Sequence, residues 1–347
     1  MNKKKSSGIS FFIIFTVLFV LVDQARAELI TLIFSSGFPK SHIMQQKVFE
    51  PWAKNLNKFT KGQCGIKFFS NGFMGPASGQ YSLVENGIAD ISFSFHDFTP
   101  DRFPVTSVYD LPFVVPNAEM ASRSMWQSYE NYPDFHKEYD KVKLLALFCY
   151  PAAHFHTIAK PINTISDLKG MKIITTNPYA SDALRILGAV PVSVQLNESY
   201  SALEKGSADG ILLHWEALVY YKLDNFIKYT TRAYFSSATM MVCMSKVKYK
   251  SLPKDIKRAI DKTTGMELSK LAGQTFDSSE DYYLQIALKK GIKLNSFSKS
   301  ELKKLQSLTI PLREQWSRKI KKEGLSGDKI LKDVILLESI TIMHSKI

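Results

Sequence analysis

The chain has 347 residues, 45 Lys and Arg against 32 Asp and Glu, and a formal charge of +13 at neutral pH. A chain this long can bury a sizeable core without staples, and its three scattered cysteines, Cys64, Cys149 and Cys243, allow at most one disulfide. Buried free thiols are the expected state for most of them, and no metal-ligand spacing, phosphate-binding glycine loop or nucleophile elbow occurs. The basic runs at 246–262 and 299–322 alternate with apolar residues at helical spacing, as solvated helix faces do, so no nucleic-acid partner is expected.

In chain order, Lys3, Lys4 and Lys5, the apolar run 9–22 and the small residues Ala25 and Ala27 have the form of a cleaved secretory signal, 1–27. The run is shorter than the roughly 20 residues that span a bilayer. The expected compartment is the periplasm, and removing 1–27 lowers the charge to +10, because Lys3, Lys4, Lys5 and Arg26 outweigh Asp23. Residues 29–34 read as a strand broken at Gly37, Phe38 and Pro39, and 41–59 as a helix with Phe49, Trp52 and Leu56 on one face. A strand at 66–70 leads into a glycine-rich loop, 71–79, which makes the first part α/β.

A phrase then occurs twice. Tyr81, Glu85, Gly87, Ala89 and Asp90 recur at the same spacing as Tyr200, Glu204, Gly206, Ala208 and Asp209. Each copy predicts a short helix stopped by glycine and a turn into an apolar strand, at 91–95 and 211–215. One unit built twice predicts two lobes with a cleft between them, where small ligands are commonly held.

Between the copies, 142–150 and 155–159 read as strands, and the turn 166–170 delivers a strand at 171–175. Asn177 and Pro178 start a helix whose buried face is Ala180, Ala183, Leu184 and Leu187, ended by Gly188. Residues 190–196 return to the sheet. Residues 238–244 read as a strand passing back to the first lobe, and 251–290 as a long helical stretch able to lie against both lobes.

The co-linear succession of Phe68 to Asp90, Pro100-Asp101-Arg102-Phe103-Pro104, Asp110-Leu111-Pro112-Phe113, Asp167 to Ile173, Leu187 to Val192, Tyr200 to Gly210, Trp215 to Leu218 and Ser251 to Asp255 resembles the periplasmic solute receptors of TRAP transporters, DctP type. The resemblance implies an α/β, two-lobed (type II) binding-protein fold with a long helix bridging both lobes. It implies a receptor, not an enzyme, with no cofactor, that hands a small solute to the small and large membrane permease subunits. The boundaries it suggests are lobe I 28–151, lobe II 152–237, a return to lobe I with the bridging helix 238–275, and C-terminal helices packing on lobe II, 276–347.

One departure stands out. Most relatives carry an Arg after Lys-Ile in the strand following Asp-Leu-Lys-Gly, and its guanidinium clamps the ligand's carboxylate; here that position is Ile174. The expected site therefore combines apolar walls from Phe38, Phe95, Ile174, Leu213, Trp215 and Met240 with polar groups from His42, His154, His156, Asn177 and His214. Asn177 has helix capping as its competing role, and Arg102 reads as a structural anchor. The expected ligand is an aromatic, alcohol-like or zwitterionic solute. A small carboxylate held by a histidine instead of the Arg remains open, as does, more remotely, a periplasmic enzyme on the same fold.

Overall fold

The computed structural model describes residues 29–344, so the signal segment lies outside the described residues. The first lobe runs β1 (Ile30–Ser36), a π-turn (Gln45–Phe49), α1 (Glu50–Phe59), β2 (Cys64–Phe69), α2 (Gln80–Glu85), β3 (Ile91–Phe95), α3 (Ala118–Asn131), α4 (Pro133–Glu138) and β4 (Val142–Cys149). The second runs β5 (His154–Thr157), β6 (Lys172–Ile174), α5 (Pro178–Ile186), β7 (Val190–Val192), α6 (Ser199–Glu204), β8 (Gly210–Leu213), α7 (Trp215–Tyr220) and β9 (Tyr229–Arg232). β10 (Thr239–Ser245), α8 (Lys246–Ser251), α9 (Lys254–Thr263), α10 (Met266–Lys289), β11 (Lys293–Ser296), α11 (Lys299–Lys322) and α12 (Gly327–His344) complete the chain.

One sheet has the order β2-β1-β3-β10-β4 and the other β11-β9-β5-β8-β6-β7. Both are mixed: β1, β2 and β3 are parallel, as are β6, β7 and β8, while β10 lies antiparallel to β3 and β4, and β5 antiparallel to β8 and β9. Each is covered on both faces, so the period-2 alternation of a strand feeds two cores instead of one core and solvent. In β10, Met240, Val242 and Met244 join one cluster while Met241 and Cys243 join the other. In β6, Ile173 and Ile174 divide likewise between the two clusters of the second lobe.

The repeated phrase does the same work in each lobe. Gly87 (φ 71°) and Gly206 (φ 67°) take the left-handed conformation that glycine adopts without steric cost. Each helix ends with the same pair of bonds: Gly87 N–H to Val84 and Ile88 N–H to Leu83, then Gly206 N–H to Leu203 and Ser207 N–H to Ala202. The closing aspartates also match. Asp90 Oδ2 accepts from Ile33 N at 2.8 Å, and Asp209 Oδ2 accepts from Lys172 N at 2.7 Å, each carboxylate fastening the turn to the neighbouring parallel strand.

Among the described residues, the chain crosses between the lobes from β4 into β5, from β9 into β10, along α10 and again along α11. The first two pair as they cross, through Tyr150 N to Ala238 O, Ala153 N to Ser236 O and Phe235 N to Ala153 O. The helical stretch expected to run to 290 breaks at Gly265 (φ 72°), separating α9 from α10. Gly265 N donates to Leu145 O, a carbonyl freed by the bulge where β4 and β10 shift register. α10 then lies so close to α3 that a Cβ on Gly273 would stand 2.6 Å from Ala118 O. Asp277 caps α3 by accepting from Ala118 N and Glu119 N at 2.9 and 2.8 Å. Further along α10, Leu284 and Ala287 enter the second lobe's core, so the helix bridges both lobes.

The C-terminal helices depart from the expected packing on lobe II alone. In α11, Leu305 and Leu312 join a second-lobe cluster, but Trp316 and Ile320 join a first-lobe cluster together with Ile330 and Val334 of α12. A helix of 24 residues is about 36 Å long, enough to reach from one lobe to the other. All three cysteines are buried free thiols. Burial raises the Cys64 thiol to about 11 and Cys243 to about 12, which keeps both protonated and unreactive.

Candidate functional site

A cavity of about 1060 Å³ opens between the lobes. The first lobe contributes the loop after β1 (Gly37, Phe38, Pro39), the loop 71–78 and the end of β3. The second contributes Thr175, Thr176 and Asn177 after β6, the loop 193–198, and Leu213 and His214 after β8, while Tyr150, Ser236 and Ser237 floor it from the crossing strands. Most of these groups sit just past the C-terminal ends of parallel strands, where ligands of open α/β sheets bind. Gly37 lets the loops meet, since a Cβ there would stand 2.7 Å from Ala77.

The wall is rich in aromatic rings. Phe38 and Phe95 lie 5.8 Å apart, Phe95 and Phe98 5.4 Å, and Phe95 and Tyr150 5.8 Å, with Tyr220 and Tyr221 facing them from the second lobe. Among the described residues, no Lys or Arg lines the cavity, whereas Asp97 and Glu198 do. Glu198 is occupied in capping, accepting from Gln195 N at 3.1 Å. Asp97 is half-buried, with Oδ1 shielded from solvent and unpartnered among the described residues, and burial pushes its carboxyl up to about 7.

Five of the eleven expected residues line this cavity: Phe38, Phe95, Asn177, Leu213 and His214. Asn177 has its polar atoms committed elsewhere. Oδ1 caps α5 by accepting from Ala180 N at 3.0 Å, and Nδ2 donates at 2.8 Å to both Asp110 O and Ser237 O. His214 stacks on Tyr150 at 3.7 Å between ring centroids and holds Glu216 at 3.4 Å.

The other six do not line this cavity; each packs in the layer behind its wall. His42 is 2% exposed, with Nε2 3.6 Å from Glu216 Oε1 instead of at the cleft mouth. His156 is wholly buried, bonded to Thr230 Oγ1 at 2.8 Å and Leu213 O at 3.0 Å, so both ring nitrogens are satisfied within the sheet. His154 sits beneath Tyr234 and Trp215, and desolvation lowers it and His156 to about 3, leaving both neutral. Ile174 and Trp215 pack in one apolar cluster, and Met240 lies in the first lobe's core, because both faces of β6 and β10 are covered.

Sequence reasoning missed Asp97, Phe98, Tyr150, Tyr220 and Tyr221. Asp97 lies two residues past the end of β3, and that position after a predicted parallel strand is the signal that would have found it. It sits in a tight turn, His96–Phe98, held from below by buried bonds running from His96 Nε2 to Tyr139 Oη (2.8 Å), on to Thr106 Oγ1 (2.9 Å) and then to Glu138 (2.6 Å). Arg102 is the anchor it was expected to be, donating to Glu85 at 2.8 Å and Tyr81 at 3.2 Å, two residues of the first phrase copy.

Two α/β lobes joined by crossing strands and a bridging helix, with an aromatic cavity between them, are the architecture of a two-lobed solute receptor. The chain belongs to the bacterial extracellular solute-binding protein family 7, DctP, whose pattern matches residues 34–319. Similar solved structures include a TRAP solute-binding protein from an unidentified marine microbe, specific for aromatic acid ligands and solved with metahydroxyphenylacetate. It is 28% identical, with TM-score 0.84, covering 89% of this chain and 98% of that one. A TRAP solute-binding protein from Rhodoferax ferrireducens with copurified benzoate is 26% identical, TM-score 0.84, covering 91% and 99%. One from Bordetella bronchiseptica with bound mandelate is 26% identical, TM-score 0.82, covering 90% and 99%. This chain is a TRAP-type receptor for small organic solutes. Among the described residues, no helix is long and apolar enough to cross a membrane.

Proposed function

We propose that this receptor works in the periplasm after loss of 1–27, takes a small aromatic solute without an Arg–carboxylate clamp, and delivers it to the small and large subunits of a TRAP permease. The reading includes no catalytic activity. Its lobes are assigned as 28–151 and 152–237, with the return to the first lobe and the bridging helix from 238. The observation that carries the ligand reading is the cavity wall itself: Phe38, Phe95, Phe98 and Tyr150 on one side, and no guanidinium or ammonium group among the described residues around it. Aromatic faces supply apolar area with fixed geometry, which favours a ring-bearing solute.

A second reading has support in the aromatic acids bound by neighbours at 26–28% identity and in the presence of His214 in the wall. In it, His214 replaces the Arg toward a carboxylate. Its engagement with Glu216 and Tyr150 weighs against that role. Thermal-shift screening of the mature protein across organic acids, aromatics, polyols and zwitterions, with mass spectrometry of any copurified ligand, separates the two. Aromatic non-acids should stabilise the protein. Stabilisation by simple carboxylates alone, weakened by Ile174→Arg and abolished by His214→Ala, would establish the second reading instead.

A further inference from the structure

The charge of the cavity narrows the ligand class further, resting on the receptor reading above. Phe95 and Phe98 flank Asp97 in the chain, and Phe38 and Tyr150 extend the same aromatic surface at ring separations of 5.8 Å. A positive charge is attracted to the faces of such rings, the more so out of water. Asp97 lines the cavity; its carboxyl accepts from the backbone N–H groups of Asp97 and Phe98, its shielded Oδ1 has no hydrogen-bond partner among the described residues, and no Lys or Arg lines the wall to neutralise it. A shielded carboxyl oxygen in that condition is costly unless something pairs with it.

We propose that the solute carries an ammonium centre, as an aryl amine or aryl quaternary ammonium does, seated against Asp97 and among Phe95, Phe98 and Tyr150. The aromatic portion would then extend toward Tyr220 and Tyr221 in the second lobe, giving closure contacts from both lobes.

The groups around Asp97 support this. Asp110, in the turn 106–110, is held well above the usual carboxyl range by burial and, after that, by Asp97. His96 is lowered to about 3 by burial and is also neutral. Tyr150 beyond Phe95 is pushed up by burial and keeps its proton. Arg102, on the turn that follows, is turned to Glu85, and β10 brings Thr239 and Met240, which carry no charge. Across the cavity stand Glu198, His214 and Tyr220. Within this set Arg102 pairs with Glu85 and His214 with Glu216, and no Lys or Arg lines the cavity among the described residues.

The test is isothermal titration of the mature protein with a matched series: phenyltrimethylammonium, benzyl alcohol and benzoate. Phenyltrimethylammonium should bind at least tenfold more tightly than benzoate, and Asp97→Asn should weaken it at least tenfold while changing benzyl alcohol less than threefold. Because the probe's charge is permanent, its affinity for the wild type should rise about tenfold from pH 6 to pH 8 as the proton leaves Asp97, a readout that needs no variant. Tighter binding of benzoate, or affinity falling over that pH range, overturns the ammonium assignment and leaves the receptor reading intact. Binding by none of the three overturns it as well, and failure of the wider panel then removes the aromatic-solute reading too.

Discussion

Asn177 offers the sharpest test of how this cleft is built. It lines the cavity, yet it is only 7% exposed, and its amide ties the start of α5 to Asp110 O in the first lobe and Ser237 O in the crossing strand. Replacing it with Ala removes a helix cap, at a cost of about 1 kcal/mol, and two donors to buried carbonyls, at about 1 kcal/mol each. The expected loss is roughly 3 kcal/mol. At about 2 °C per kcal/mol for a chain of this size, the melting temperature should fall by about 6 °C. Asn177→Ser keeps a capping oxygen but loses both donors, so it should fall about two-thirds as far. Urea and thermal unfolding of the ligand-free protein measure this. If Asn177→Ala loses less than about 1 kcal/mol while ligand affinity collapses, the residue is a ligand anchor and the structural reasoning fails.

The remaining predictions probe packing, charge and the missing clamp. Gly273→Ala places a methyl 2.6 Å from the backbone of α3 and should cost about 2 kcal/mol, read as a lower urea midpoint; an unchanged midpoint would show that α10 and α3 can separate freely. His96, His154 and His156 have folded values near 3, below the unfolded 6.5, so their contribution is complete above pH 6.5 and lost as pH falls toward 3. Glu138 and Glu280, raised to about 8, act oppositely: their contribution is complete below about pH 4.5 and lost as pH rises to 8. Melting temperature against pH should therefore decline on both sides of a mildly acidic plateau, and a maximum above pH 8 would contradict it. Ile174→Arg should lower the melting temperature by burying an unpartnered charge, and because Ile174 lies behind the cavity wall benzoate should stabilise the variant no more than the wild type.

Much of the fold was legible because its signals are local. Glycine-terminated helices, the Asn177–Pro178 start and the duplicated phrase each specify their own backbone, and the phrase marked the strand ends that flank the cleft. The site was less legible, for a reason visible in β6 and β10. Strands buried on both faces send alternate side chains into two cores, and sequence does not say which face borders a ligand. Ile174, Met240 and His156 were therefore read as lining residues although packing claims them. Tyr150 and Phe98 were missed because they lie in irregular segments just past a strand, where no periodicity marks them. The packing of α11 across both lobes was hidden too, since its apolar stripe shows helical spacing but not the partner that each half meets.

The basic chain and the acidic cavity are compatible once distance is considered. Screening at physiological ionic strength confines an exposed charge to about 8 Å, so the lysines spread over the outer helices govern encounter and solubility more than the field inside the cleft. Inside, neighbouring groups decide. Ile174 brings no charge to the end of β6 and packs with Leu213 and Trp215 in an apolar cluster. Glu216 stands between His42 Nε2 at 3.6 Å and His214 Nε2 at 3.4 Å, and among the described residues no Lys or Arg lines the cavity. In that setting the carboxyl of Asp97 lines the cavity with no Lys or Arg beside it among the described residues, and a cationic ligand is the partner proposed for it.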